Sequence, residues 1–279
     1  FTAEAIQKMR DGSDPLNLSD TDWRKLVLKD WAPQSKHTVR LTGGNDVHQF
    51  YISLGHIDQN SLYRSNNHWM KRTTFRLAES ANIKALGLQV NAALDGYRQH
   101  QEHPYTSTSS SYFNVFSHIN DKSPMIPGVN SLGLPYNVTD NPVAETASDA
   151  GYQRSIVNVI NGKGELVWSC LWVDGLKVRL ASNYRYYGET YKNWRKDAAQ
   201  YDWDSDVAQY ANKPQLSHTS GTGYSYTNQA FLEYANTFGQ HNISALGGFE
   251  QYYEKGESYG ATRIGYDFPI DQMNVGPAN

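Results

Sequence analysis

The feature that most constrains this chain is a period of two. In Leu176-Lys177-Val178-Arg179-Leu180 every second residue is apolar and those between are cationic. Tyr184 and Tyr186 continue the first parity, Asn183 and Arg185 the second. Such alternation belongs to a β-strand with two unlike faces. About eight segments carry it, near 37–43, 48–58, 69–78, 83–96, 154–172, 176–187, 226–237 and 242–253. The links alternate as well. They are short near 44, 81, 174 and 240, and longer near 63, over 97–150 and over 188–222.

Tight turns at one end and long loops at the other predict an all-β fold, an antiparallel up-and-down sheet with unequal rims. That asymmetry is the one transmembrane β-barrels show. Gly43-Gly44-Asn45-Asp46 and Asp174-Gly175 read as tight turns, and a further turn is expected near 79–82. Asn161-Gly162-Lys163-Gly164 leaves two readings open, a hairpin turn or one long bulged strand. Before the strands, Thr2 is expected to cap a helix over 3–9, and Ser19 or Asp20 one over 23–29, ended near Pro33. The expected division is an outer-loop segment with short helices over 1–36, barrel strands with long outer loops over 37–254, and the start of the next outer loop over 255–279. Both ends are expected to lie within a longer chain, and no charged leader with an apolar core opens the sequence.

Composition narrows the class. A mean hydropathy of -0.67 excludes a bundle of membrane helices, but not a barrel, where only alternate strand residues meet lipid. The 20 Tyr and 7 Trp outnumber 9 Phe, and such amphipathic rings suit bilayer rims or sugar-binding surfaces. A net charge of -3 without a basic block gives no case for nucleic acid. Cys170, the one cysteine, reads as a small strand residue.

Catalytic and metal-binding patterns fare poorly. His100-x-x-His103 reads as a solvated loop pair. Asp202-x-Asp204-x-Asp206 opens like a calcium loop, but Val207 stands where the turn needs Gly and Lys213 where a Glu would close it. Gly162-Lys163-Gly164 lacks phosphate-loop spacing. Glu233, Glu250 and Asp95 fall on the polar parity and read as lining rather than acid and base. No catalytic residue, cofactor or metal site is expected. Six aromatics of the long loops, Tyr105, Tyr112, Tyr191, Trp194, Tyr201 and Trp203, are candidates to meet cargo or a partner, with packing among themselves the competing role.

Ordered pieces over almost the whole chain carry a resemblance. They include Thr21-Asp22-Trp23, Ala32-Pro33-Gln34, His37-Thr38-Val39-Arg40-Leu41, Phe50-Tyr51-Ile52-Ser53-Leu54, Lys71-Arg72-Thr73-Thr74-Phe75-Arg76, Val173-Asp174-Gly175-Leu176-Lys177, Tyr191-Lys192-Asn193-Trp194 and Asn236-Thr237-Phe238-Gly239-Gln240. Together they resemble part of a SusC/RagA-type TonB-linked outer-membrane transporter, a nutrient importer of Gram-negative bacteria. The resemblance implies a plugged barrel of about 22 strands, of which this chain supplies the early ones. It also implies a SusD-like surface lipoprotein as lid, the TonB complex acting through an N-terminal region absent here, a surrounding lipid bilayer, and oligosaccharide or peptide cargo. Arg72, Arg76, Gln89, Lys177, Arg179 and Glu233 would face the lumen. Leu86, Leu88, Val90, Leu176, Val178 and Leu180 would face lipid. A soluble β-sandwich binding carbohydrate and a glycosidase-like β-protein are the rival readings.

Overall fold

The computed structural model describes residues 2–105 and 111–277. Eight strands form one sheet in strict sequence order, every neighbouring pair antiparallel. They are β1 (Gln34–Gly44), β2 (His48–Asn60), β3 (Trp69–Ile83), β4 (Leu88–Pro104), β5 (Tyr152–Ser169), β6 (Leu176–Arg195), β7 (Gln215–Phe238) and β8 (His241–Ile264). The sheet is not closed: β1 and β8 each have one ladder neighbour only. An up-and-down, all-β architecture is therefore what the alternation folds into.

Helices are few and lie outside the sheet. In α1 (Ala3–Asp11), Thr2 Oγ1 accepts from the Ala5 amide at 3.2 Å. In α2 (Trp23–Val27) the cap is Asp22, whose Oδ1 accepts from the Lys25 amide at 3.0 Å, rather than Ser19 or Asp20. Ser19 is engaged elsewhere, its Oγ lying 2.7 Å from Thr21 Oγ1. The helix stops early because the Lys29 amide donates to the Leu62 carbonyl instead. Two more helices, α3 (Ser111–Asp121) and α4 (Pro142–Glu145), occupy the link between β4 and β5.

Four boundaries differ from expectation. The turn placed near 79–82 lies four residues later: Glu79, Ser80, Ala81 and Asn82 still pair with Ala92, Asn91, Val90 and Gln89. A 3-10 turn over Lys84–Leu86 closes instead on Gly87, at φ 61°. A side chain at 87 would meet the Ser169 carbonyl at 2.3 Å. Leu86 accordingly sits in the turn, not on a strand face. Residues 161–164 make no hairpin and no bulge, because Gly162 pairs with both Leu94 and Tyr184 and the register runs through. The long links are shorter than 97–150 and 188–222, since β4 continues to Pro104, β6 to Arg195, and β7 begins at Gln215. Likewise β8 extends to Ile264, beyond 254.

Two small buried clusters lie toward the long-loop end of the sheet, and within the sheet itself Ser155 and Val159 of β5 are buried as well. Trp23, Val27 and Tyr63 pack with Val115 and Ile119, joining the N-terminal segment to the β2–β3 and β4–β5 links. Trp194, Leu216 and Tyr266 form the second, where the segment after β8 folds back over β6 and β7. Among the described residues, no second sheet packs against the first. Leu94 is 41% exposed, Leu180 46%, Leu232 53% and Phe249 66%.

Candidate functional site

Register decides which side chains share a face, because directly paired residues project the same way. Arg72 pairs with Gln99, Arg76 with Asp95, and Asn82 with Gln89. Gln89 pairs with Val167, Val167 with Arg179, Ser169 with Lys177, and Lys177 with Glu233. All six residues assigned to a lumen thus lie on one face. Polar contacts run across this face. Arg72 Nε donates to Gln99 Oε1 at 2.8 Å, and its guanidinium lies 4.7 Å from the Tyr97 ring centre. Ser80 Oγ donates to Asn91 Oδ1 at 2.8 Å, and Asn91 Nδ2 to Glu165 Oε2 at 3.2 Å. Arg179 then spans Glu165 at 3.8 Å and Glu233 at 3.2 Å. Asn161 donates to Asp95 at 2.9 Å, and Gln229 to Glu250. Where this face meets the β1–β2 turn it forms an open trough of about 840 Å³, lined by Asn45, Gln49, Arg76, Asn91, Lys163 and Glu165 among others.

The reverse face is mainly apolar near the tight-turn end, interrupted by Glu79 and by the pair Ser182 and Asn228, whose Oγ and Oδ1 lie 2.8 Å apart. Leu77 stands between Ile52 and Leu94, Leu166 between Val90 and Leu180, and Val178 between Trp168 and Leu232. Tyrosines bound the band on the long-loop side. The Tyr184 and Tyr224 ring centres are 6.1 Å apart, and those of Tyr226 and Tyr253 5.3 Å. At the tight-turn end Trp168 meets Trp172 at 5.7 Å. On β6 the band runs from Leu176 to Tyr186. About 11 residues rising 3.3 Å each at a tilt near 45° span about 25 Å, the height of a barrel's lipid-facing band.

The loop aromatics fall in different places. Tyr191 lies in β6, with the parity of Arg179, on the polar face. Trp194 is 4% exposed, its ring edge-on to Tyr266 at 5.1 Å, so it anchors the strap after β8 and presents no open platform. Tyr201 bridges to Tyr136, whose ring meets Trp203 edge-on at 6.0 Å. Tyr105 borders a second cleft, of about 450 Å³, with Asn137, Asp140, Arg195 and Tyr210. The Tyr112 side chain lies outside the described residues. Tyr210, exposed beside Lys196, was not singled out from the sequence.

The weak chemical motifs resolve structurally. His100 and His103 both lie in β4, three residues apart, so they point to opposite faces. The Asp202 carboxylate accepts from Asn137 Nδ2 at 3.2 Å and from Gln209, while Asn130 Nδ2 holds the Asp202 and Ser205 carbonyls. Glu233 is opposite Leu246, and Glu250 lies four residues further along β8. At 3.4 Å per residue that separates the two by about 14 Å, too far for a glycosidase pair, which needs about 5–9.5 Å.

No family model and no curated protein match the sequence. Solved structures do. The chain is similar to the RagAB peptide importer in its "closed-closed" state, with a TM-score of 0.70 and 19% identity over 95% of this chain. The "open-open" state gives 0.69 and 19% over 94%, and a further RagAB peptide transporter structure 0.67 and 19% over 95%. The fold is shared. The chain spans 28–29% of the length of those chains. Its structural neighbours are transporters, and no helix among the described residues is long and apolar enough to cross a membrane, which says nothing of strands.

Proposed function

We propose that this chain is an early wall and outer-loop portion of a TonB-dependent outer-membrane importer of the SusC/RagA kind, working in a Gram-negative outer membrane. The observation that carries this is the uncovered two-faced sheet: about 25 Å of apolar residues between aromatic rims on one side, and a ladder of paired charges and amides on the other. Eight strands leave two unpaired edges, which a bilayer does not tolerate, so further strands complete the cylinder. Strands of 20 to 24 residues exceed the 9–11 needed to span. Their outer parts would therefore rise above the bilayer, as would the link between β4 and β5 that holds α3 and α4, where a SusD-like lipoprotein and the captured cargo would meet them.

The cargo class is an oligosaccharide or a peptide; likeness to a peptide importer favours the latter. The polar face would give passing cargo exchangeable hydrogen bonds without a deep binding well. No catalytic role is assigned. Uptake of labelled peptides by cells lacking the gene, compared with cells carrying the full-length gene and with a TonB-deficient strain, tests the proposal. Loss of uptake in both deficient strains is expected. Undiminished uptake of peptides and of oligosaccharides without the gene would remove it.

A further inference from the structure

Within the link between β4 and β5, three side chains that the sequence keeps apart converge. His118, on α3, has Nδ1 2.8 Å from Glu145 Oε2, on α4, and Nε2 3.9 Å from Asp140 Oδ2, just before α4. One donor atom from each residue lies within 4.8 Å of the other two. His118 and Glu145 are mostly buried, and Asp140 is the open side.

We propose that His118, Asp140 and Glu145 bind a divalent transition-metal cation of the Zn²⁺ type, which pins α3 to α4 in the outer loop. One imidazole nitrogen and two carboxylates form a mixed N/O set suited to Zn²⁺, Mn²⁺ or Fe²⁺ rather than to Ca²⁺, which takes oxygen alone. Bonds of about 2.0–2.2 Å require donors roughly 3–3.5 Å apart; Glu145 faces Nδ1 and Asp140 faces Nε2, so closing the site requires one carboxylate to swing round to the ligating nitrogen. Open coordination positions on the Asp140 side would be filled by water.

The support beneath the donors is built. Asn141 is fully buried: its Nδ2 donates to the carbonyls of Gly128 and Tyr136 at 3.0 and 2.8 Å, and its Oδ1 accepts from the Val143 amide. Asp140 and Glu145 are thus carried on a fixed frame. Lys122, just past α3, donates to the Thr139 carbonyl and so ties that helix to the residue before Asp140. Burial pushes the Glu145 carboxyl up from its ordinary range, against the lowering effect of its His118 bond; a cation beside it would reverse that. Occupancy does not depend on the transport reading.

The test uses the full-length protein in detergent, stripped with chelator and titrated with Zn²⁺ by calorimetry, with Co²⁺ as a spectroscopic probe. Wild type is expected to bind one equivalent more than His118→Gln, which keeps a polar group opposite Glu145 but has no imidazole. Asp140→Asn, which removes the charge of an exposed side chain while keeping its shape, should weaken that equivalent at least tenfold. Visible Co²⁺ bands should be lost in both. Equal stoichiometry and affinity in wild type and both variants, or no Zn²⁺ uptake by wild type, would overturn the proposal and leave a plain hydrogen-bonded cluster.

Discussion

Arg179 reaches Glu233 at 3.2 Å across the β6–β7 ladder, while the neighbouring residue, Val178, stands opposite Leu232 on the reverse face. One residue of register separates a charge ladder from an oily surface. A slip by one would exchange every side chain between the two, so each face can be tested separately.

Leu180→Arg puts a charge near the middle of the apolar band. In a bilayer it should cost about 2–4 kcal/mol. The folded, heat-modifiable form of the full-length protein should fall sharply in outer-membrane fractions. Normal assembly would mean that face does not meet lipid.

The opposite expectation holds for Arg179→Ala. Its side chain and that of Glu233 are each at least a third exposed, so solvent screens the pair to about 0.2–1 kcal/mol. Assembly should survive, and a double-mutant cycle with Glu233→Ala should return a coupling in that range. On the proposed transport reading, the larger effect should fall on passage of charged cargo along the face.

These faces are legible because alternation is dictated by the strand itself, and residues 176–186 state it with one break, at Ala181-Ser182. The strand ends are not. Beyond Tyr187, and before Tyr226, both parities turn polar or small, as in Gly188-Glu189-Thr190 and Gly221-Thr222-Gly223. Outside a lipid band nothing forces the two faces to differ. The turn near 81 was misplaced because Glu79–Asn82 is polar, yet its backbone groups are taken by β4, and Gly87 alone supplies the left-handed residue. Trp194 looked like a loop platform since nothing in sequence reveals that Tyr266, 72 positions later, packs on it. The meeting of His118 with Glu145, 27 residues apart, is equally a product of loop packing.

Loss of the Asn141 side chain should act locally. Asn141→Ala removes the cap of α4 and two bonds to the Gly128 and Tyr136 carbonyls, which keep the Tyr136 and Val138 amides as donors; the cost is roughly 0.5–2 kcal/mol for the cap and about 1 kcal/mol for each lost bond. Hydrogen exchange should quicken across α3 and α4, with strands β4 to β7 unchanged. Uniform loosening of the strands would show that loop and wall are one cooperative unit.

Acid should loosen the loop joining β2 to β3. Burial lowers the His68 imidazole to about 4, with the nearby His103 adding a smaller push, and its ring sits edge-on to Tyr63 at 5.5 Å. The unfolded loop takes up the proton near 6.5, the folded one only near 4. The stability held by neutral His68 is complete above about pH 6.5 and drains as the pH falls toward 4, by about 3 kcal/mol in all. Hydrogen exchange over 61–68 should rise through that window in wild type and stay flat in His68→Phe.

The most direct measurement attaches an environment-sensitive fluorophore at position 180 or at position 177, in the full-length protein with Cys170→Ser, reconstituted in bilayers. A probe replacing Leu180 should be quenched by spin-labelled lipid tails and shielded from aqueous iodide, and one replacing Lys177 should behave the other way. Iodide quenching of both probes alike, with no response to the lipid label, would contradict the account.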